Sequence, residues 1–364
     1  MLLRESKSVF MKRPVVKSTL ALLAFVFLIS CVEDMKPNDE SEKNKLPSEI
    51  LQWDGSMLFN HPDNPFLKEI PGNVTVHPHS QQMIELIKSK CGDNLSNTYV
   101  STGDFSLPVY IADHTTPKKD IRITRYPPPG GRTVMKNVPV PMNAVAAKGS
   151  DGHLAVIDRG SRCVYEFWIF DKDRGGGTGS GNAIELNSNG IYQDGRSSVA
   201  AGWSQLQGAI WPKELQQGVI NHALSFLVPV TNGDGYVYPA THNDGPLKGH
   251  PYAIPEGTLI RIRPNVNIDA LPGLGPMEKI IYKAIQRYGM YCSDTNGAGL
   301  SLHAVAPESF PPNAYPASFN MDEKRYRNFY MKNFPFEHLE VIYTGELQPP
   351  KSKPYTDHGC AVWE

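Results

Sequence analysis

Four acidic residues stand at strand interiors or strand ends beside aromatic side chains: Asp158, Glu166, Asp244 and Asp294. Two carboxyl groups across a cleft, one protonated to assist a leaving oxygen and one ionised as nucleophile or base, are what glycoside hydrolysis requires. Glu166 is the first choice for one of them. It precedes Phe167 and Trp168, and strand alternation puts it on one face with Trp168 and Phe170. A carboxyl shielded beside Trp has a raised pKa, and an indole stacks on sugar rings. Asp244, in the polar loop Thr241-His-Asn-Asp-Gly245, is the expected second carboxyl.

A second chemistry uses His and Tyr. Elimination from a uronate needs a group to neutralise the carboxylate, a base for the α-proton and an acid for the leaving oxygen. His153, His222 and His242, with Tyr288 and Tyr291, supply those residue types. In the hydrolytic reading the same histidines line the cleft as catalytic candidates together with Tyr288, while Trp168, Asp158, Tyr291 and Asp294 contact substrate. Calcium is the cofactor to consider, since Asp171-Lys-Asp-Arg-Gly175 and Asn232-Gly-Asp-Gly235 place oxygen ligands on tight turns. Neither has the full twelve-residue loop with its closing Glu, and both read more simply as turns. No Gly-x-Ser-x-Gly elbow occurs, which disfavours a serine hydrolase, and Gly175–Gly181 lacks the Lys-Ser/Thr of a phosphate loop.

The elements that must position these residues are mostly strands. The chain of 364 residues holds 31 glycines and 31 prolines, a composition that favours a turn-rich β protein over a helical bundle. Strands are predicted at 109–112, 121–126, 153–158, 164–170, 220–230, 259–263 and 300–305, with 339–343 as the last. Helices are predicted over 80–90, capped by Ser80, and over 276–289, where Pro276 opens and Gly289 closes a stripe of apolar residues. A charged helix is predicted over 322–333. The expected architecture is a mainly β fold, a β-sandwich of jelly-roll or lectin-like type with two or three peripheral helices, spanning 49–364 as one domain with a C-terminal extension from about 307.

The start of the chain concerns location. Lys12, Arg13 and Lys17 precede the apolar run Leu20–Ile29, which is too short for a permanent span, and Leu28-Ile-Ser-Cys31 has the form of a lipobox. Residues 1–30 are therefore expected to be a lipoprotein signal peptide and Cys31 the lipidated residue, with 31–48 a charged tether. The expected location is the bacterial outer membrane, with outward display suggested by the acidic residues behind Cys31. Cleavage removes five basic side chains and one acidic, taking the net charge from −1 to −5, which argues against a nucleic-acid partner. Cys91, Cys163, Cys292 and Cys360 leave room for two disulfides in an oxidising compartment, Cys360 serving to pin the tail.

Several segments in order, Ser150-Asp-Gly-His-Leu-Ala-Val-Ile-Asp158 with Tyr165-Glu-Phe-Trp168, then Asn221-His-Ala-Leu224, Pro239-Ala-Thr-His-Asn-Asp-Gly245, Ile254-Pro-Glu-Gly257 and Arg287-Tyr-Gly-Met-Tyr291-x-x-Asp294, resemble a widespread group of secreted bacterial and fungal proteins. The resemblance covers about 64–305. Members of that group often carry carbohydrate-binding modules, which implies a polysaccharide as partner; no catalytic residue is carried over. The function expected is a surface lipoprotein acting on extracellular polysaccharide, foremost as a glycoside hydrolase, with a polysaccharide lyase and a non-catalytic glycan-binding lipoprotein as the alternatives.

Overall fold

Sheets and irregular segments stack in layers in the computed structural model, which describes residues 55, 58–92, 96–171, 177–310 and 312–364. The signal peptide, Cys31 and the tether lie outside the described residues, as does most of the Asp171–Gly175 turn. In chain order come α1 (Ser80–Lys88), β1 (Thr98–Ser101), β2 (Val109–Ala112), β3 (Lys118–Arg122), β4 (Val134–Pro139), β5 (Leu154–Asp158), β6 (Cys163–Trp168) and β7 (Ser180–Glu185). Then follow α2 (Pro212–Gln217), β8 (Leu224–Val228), β9 (Thr231–Tyr236), β10 (Ile254–Glu256), β11 (Leu259–Ile262) and α3 (Pro276–Arg287). The last strands are β12 (Met290–Thr295), β13 (Leu300–His303), β14 (Phe329–Tyr330), β15 (Leu339–Ile342) and β16 (Val362–Trp363).

The largest sheet has the order β14-β1-β13-β8-β12-β11-β15 and is mixed, β1 with β13 and β8 with β12 being parallel. Register sets Val100, Leu302, Phe226 and Cys292 in one apolar row across it. That row is buried under α1 and α3, which turn Met83, Ile84, Ile87, Met277, Ile281 and Ile285 inward. Removal of such side chains from water is the main force holding helix to sheet. After α3 the chain turns at Gly289, with φ at +81°, where a Cβ would meet Leu259 Cδ1 at 2.5 Å; only glycine combines that φ with that approach.

A second sheet, β2-β5-β6-β7, is buried on both faces. Val109, Ala155, Ile157, Val164 and Ile184 pack on Tyr192, Leu206 and Trp211. Leu154, Val156 and Phe167 pack on Ile121, Met135 and Val138 of the third sheet, β16-β4-β3. The irregular segment 189–211 therefore has one side against the four-stranded sheet, while Ile191, Val199 and Trp203 meet Tyr291 and Leu259 of the large one. β9 and β10 form a small parallel pair.

Several expectations are corrected by tertiary contacts. Among the described residues a single disulfide, Cys163 to Cys360, joins β6 to the C-terminal tail, whereas Cys91 and Cys292 are buried thiols; desolvation pushes the Cys91 thiol up to about 12. Ser80 begins α1 instead of capping it, and its Oγ accepts the Val341 N–H at 2.8 Å. In the strand predicted at 259–263 the alternating Arg261 would ordinarily face water, yet it is 3% exposed because Glu340 lies opposite it on β15 and accepts from its Nε at 2.7 Å. No helix covers 322–333: Tyr326 and Arg327 adopt left-handed φ values, and an Asp322–Asn328 bridge leads into β14. Strand 220–230 is shorter than expected, β8 starting only at Leu224, because His222 turns inward ahead of it. The chain after 307 supplies edge strands to two sheets, so it is built into the fold. Helix α2 was not foreseen; Glu214 closes its N-terminus by accepting the Trp211 N–H at 2.9 Å.

Candidate active site

Three carboxyl groups converge where β12, β10 and the loop between β9 and β10 meet. Asp294 follows a bulge in β12 and is half-buried; its Oδ2 accepts the Ala200 N–H at 2.9 Å and its Oδ1 the Thr295 N–H at 2.7 Å. Glu256 ends β10 with no solvent exposure. Asp244 is exposed, and its N–H points at Glu256 Oε1, 3.4 Å away. His242 joins the group through the same Ala200, its Nδ1 lying 3.0 Å from that residue's carbonyl oxygen. Two glycines permit this closeness: at Gly195 a Cβ would come within 2.7 Å of His242 Cβ, and at Gly202 within 2.2 Å of Thr241 Oγ1.

The charges of these groups act on one another. Burial raises the Asp294 pKa to about 8, and the negative charge of Asp244 and then of Asp151 adds to the rise, against the pull of the Ala200 and Thr295 N–H donors. Glu256 is driven well above the carboxylate range by its desolvation and then by Asp294 and Asp244. Its Oε2 is buried with no hydrogen-bond partner among the described residues, as suits an acid that keeps its proton. At neutral pH the cluster thus holds protons on Asp294 and Glu256, with Asp244 as the solvent-facing carboxyl.

An aromatic platform adjoins this cluster. Trp168 is half-buried; its Nε1 lies 3.5 Å from Asp151 Oδ1, and Asp151 is one of the charges felt by Asp294. The Tyr126 ring, 62% exposed, is 5.9 Å from the indole, and the Arg125 guanidinium 5.5 Å. A half-buried acid, a solvent-facing carboxyl and a half-buried indole beside an exposed phenol ring are thus linked through Asp151 and Ala200.

Of the residues singled out in the sequence, Asp244, Asp294, His242 and Trp168 are brought together. Glu166 is not among them. It is fully buried on the inner face of β6, its Oε2 accepting from Tyr192 OH at 2.8 Å and its Oε1 from Ser204 Oγ at 2.6 Å. Burial raises its pKa to about 7, with Ser204 and Tyr192 opposing. Trp168 does share the Glu166 face, but Phe170 does not: Ile169 adopts φ +57°, ends the alternation and sends Phe170 against Phe167 in a tilted pair, ring centroids 5.1 Å apart. His222 is buried against Glu214, Nε2 to Oε1 2.8 Å. His153 is buried beside His303, whose pKa is pushed down to about 3 by desolvation and then by His153. Tyr288 and Tyr291 belong to the core around Trp203, and burial raises both hydroxyls. Asp158 caps the β5–β6 turn, accepting from Gly160 N–H at 2.9 Å and Ser161 Oγ at 2.7 Å. Asn232–Gly235 is not a turn but lies within β9, where Asn232 Oδ1 accepts from Asp234 N–H and Asp234 Oδ2 from Gly249 N–H, at 2.7 and 2.6 Å. No group of three or more His, Cys, Asp or Glu suited to a metal ion occurs among the described residues.

Glu256 and Asp151 were missed as site residues. Glu256 carried a signal, a lone acid inside the apolar stretch Ala253–Ile260; Asp151 read only as a turn former. Two surface hollows, about 390 Å³ beside Arg261 and Arg287 and about 620 Å³ between α1 and Tyr252, contain none of the cluster residues. Comparison of the chain with family models, with curated proteins and with solved structures finds no match.

Proposed function

We propose that the protein is an exported lipoprotein, anchored through Cys31 to the bacterial outer membrane, that hydrolyses an extracellular polysaccharide. The observation that carries this reading is the pairing of Asp294, kept protonated by burial and by its neighbours, with the exposed Asp244 beside the Trp168 platform. Asp294 donates its proton to the glycosidic oxygen, and Asp244 acts as nucleophile or as the base for water. Glu256 is buried, so it positions Asp244 without touching substrate. Trp168 and Tyr126 stack on sugar, and His242 lines the same opening. In this reading the seven- and four-stranded sheets enclose 189–211 as the two sides of a sandwich of lectin-like type. No helix among the described residues is long and apolar enough to cross a membrane.

The lyase alternative has weaker support, because His222, Tyr288 and Tyr291 are enclosed in the core. A glycan panel tests the proposal. New reducing ends without the ultraviolet absorbance of an unsaturated uronate are the expected result. Reducing ends with that absorbance would establish elimination instead, and binding without cleavage would leave a glycan-binding lipoprotein.

A further inference from the structure

Arg196 has no counter-ion among the described residues. Its backbone is engaged, the N–H donating to Asp194 Oδ1 at 3.1 Å and the carbonyl accepting from Asn182 Nδ2 at 2.8 Å. Its side chain is half-buried, and the Nε is shielded from water with no acceptor among the described residues. Asp194, the nearest acid along the chain, instead directs its carboxylate to His358 Nε2 at 3.4 Å and to the Thr356 N–H at 3.3 Å. A shielded guanidinium N–H is normally satisfied by an anion or by a carbonyl group, and here that N–H is the Nε, at the base of a half-buried side chain. Here neither is supplied from within the described fold.

The location of Arg196 ties it to the carboxyl cluster. Gly195 packs against His242. The Ser197 carbonyl accepts from Ser180 Oγ at 3.3 Å, and Ser180 is the strand partner of Trp168. Three residues beyond Ser197, the Ala200 N–H holds Asp294. The segment 195–200 thus runs from the aromatic platform to the catalytic acid with Arg196 inside it, and Arg125 adds a second positive charge against the Trp168 ring. A planar guanidinium recognises an oxyanion through paired, charge-assisted hydrogen bonds.

We propose that Arg196 binds an oxyanion substituent of the sugar, a carboxylate or a sulfate ester, so that the natural substrate is an acidic polysaccharide. The cleavage arm of this inference rests on the hydrolase reading; the binding arm does not. The full chain and its Arg196→Gln and Arg196→Lys variants are assayed on two matched pairs: a polyuronate and its carboxyl-reduced form, and a sulfated galactan and its desulfated form. KM and kcat come from reducing ends, and binding from retardation in gels containing each polymer. Expected for wild type is a preference of about tenfold to a hundredfold for one acidic polymer over its neutral partner, weakening with salt; which pair shows it separates carboxylate from sulfate. Arg196→Gln should raise KM by about that factor with kcat unchanged and melting temperature preserved, and Arg196→Lys should restore part of the loss. Equal use of acidic and neutral polymers by wild type, or a folded Arg196→Gln protein with unchanged KM and retardation, would overturn the inference, as would failure of wild type to retain or cleave any acidic polymer. Retardation that depends on Arg196 without cleavage sustains it and overturns the hydrolase; cleavage confined to neutral polymers does the reverse.

Discussion

Replacing Glu166 by Gln should change how stability depends on pH, by an amount the structure specifies. The buried carboxyl has a native pKa of about 7 against 4.5 for its ordinary value. Between those two values the native state holds a proton that the unfolded chain has released, so the contribution of Glu166 is fully present below 4.5 and is lost as pH rises through 7. The raised value corresponds to about 3 kcal/mol at full ionisation, most of it falling between pH 5 and pH 9. Gln has the same shape and does not titrate. The free energy of unfolding of Glu166→Gln, measured by urea denaturation in buffers from pH 5 to pH 9, should therefore gain about 2–3 kcal/mol on the wild type across that range, whatever the offset at pH 5. The offset itself reflects an amide facing Tyr192 and Ser204, whose hydroxyls can reverse their bonds, and the Leu206 and Gln205 N–H groups, which cannot. Parallel curves for the two proteins would refute the reasoning, since they would mean that Glu166 titrates in contact with water.

The cluster itself gives the other tests. Asp294→Asn and Asp244→Asn should each reduce polysaccharide cleavage by about 10²–10⁴-fold while the proteins remain folded, and wild-type cleavage should fall as pH rises through about 8, where Asp294 loses its proton. Reducing-end assays across pH read both effects. Cys360→Ser opens a loop of 197 residues and should lower stability by about 2–5 kcal/mol, with limited proteolysis showing whether the tail after about 350 becomes the first site of cleavage. The His303 imidazole, its pKa pushed down to about 3, should still give the NMR shifts of a neutral ring at pH 5; because the unfolded histidine takes up a proton below about 6.5, this residue lowers stability as pH falls from that value, and His303→Gln should lessen the loss.

The histidines show how far local pattern reaches. His222 was legible as a histidine among apolar neighbours, but nothing in Asn221-His-Ala-Leu224 announces that Glu214 of α2 will meet it at 2.8 Å. His242 stood in a polar loop, and it emerged on the surface beside the carboxyls. Helices α1 and α3 were readable because each carries its own apolar stripe and end signals. The segment 322–333 has the charge pattern of a helix and fails to form one, its backbone being drawn into left-handed conformations between β14 and Glu308.

By itself the sequence determined a mainly β chain, the places of its longer strands and two helices, and the acids from which a site had to be drawn. These follow from alternation and turn chemistry, which are local. Only the tertiary structure decided which acids are reachable. Glu166 and Trp168 lie on one face of one strand, as alternation required, yet Tyr192 and Ser204 cover the first while the second stays open beside Tyr126. Asp244, Glu256 and Asp294 come from three separate segments, and the raised pKa values of Glu256 and Asp294 arise from burial and neighbouring charge. Burial and charge coupling depend on what lies opposite in space, and strand periodicity reports the direction of a side chain without reporting what covers it.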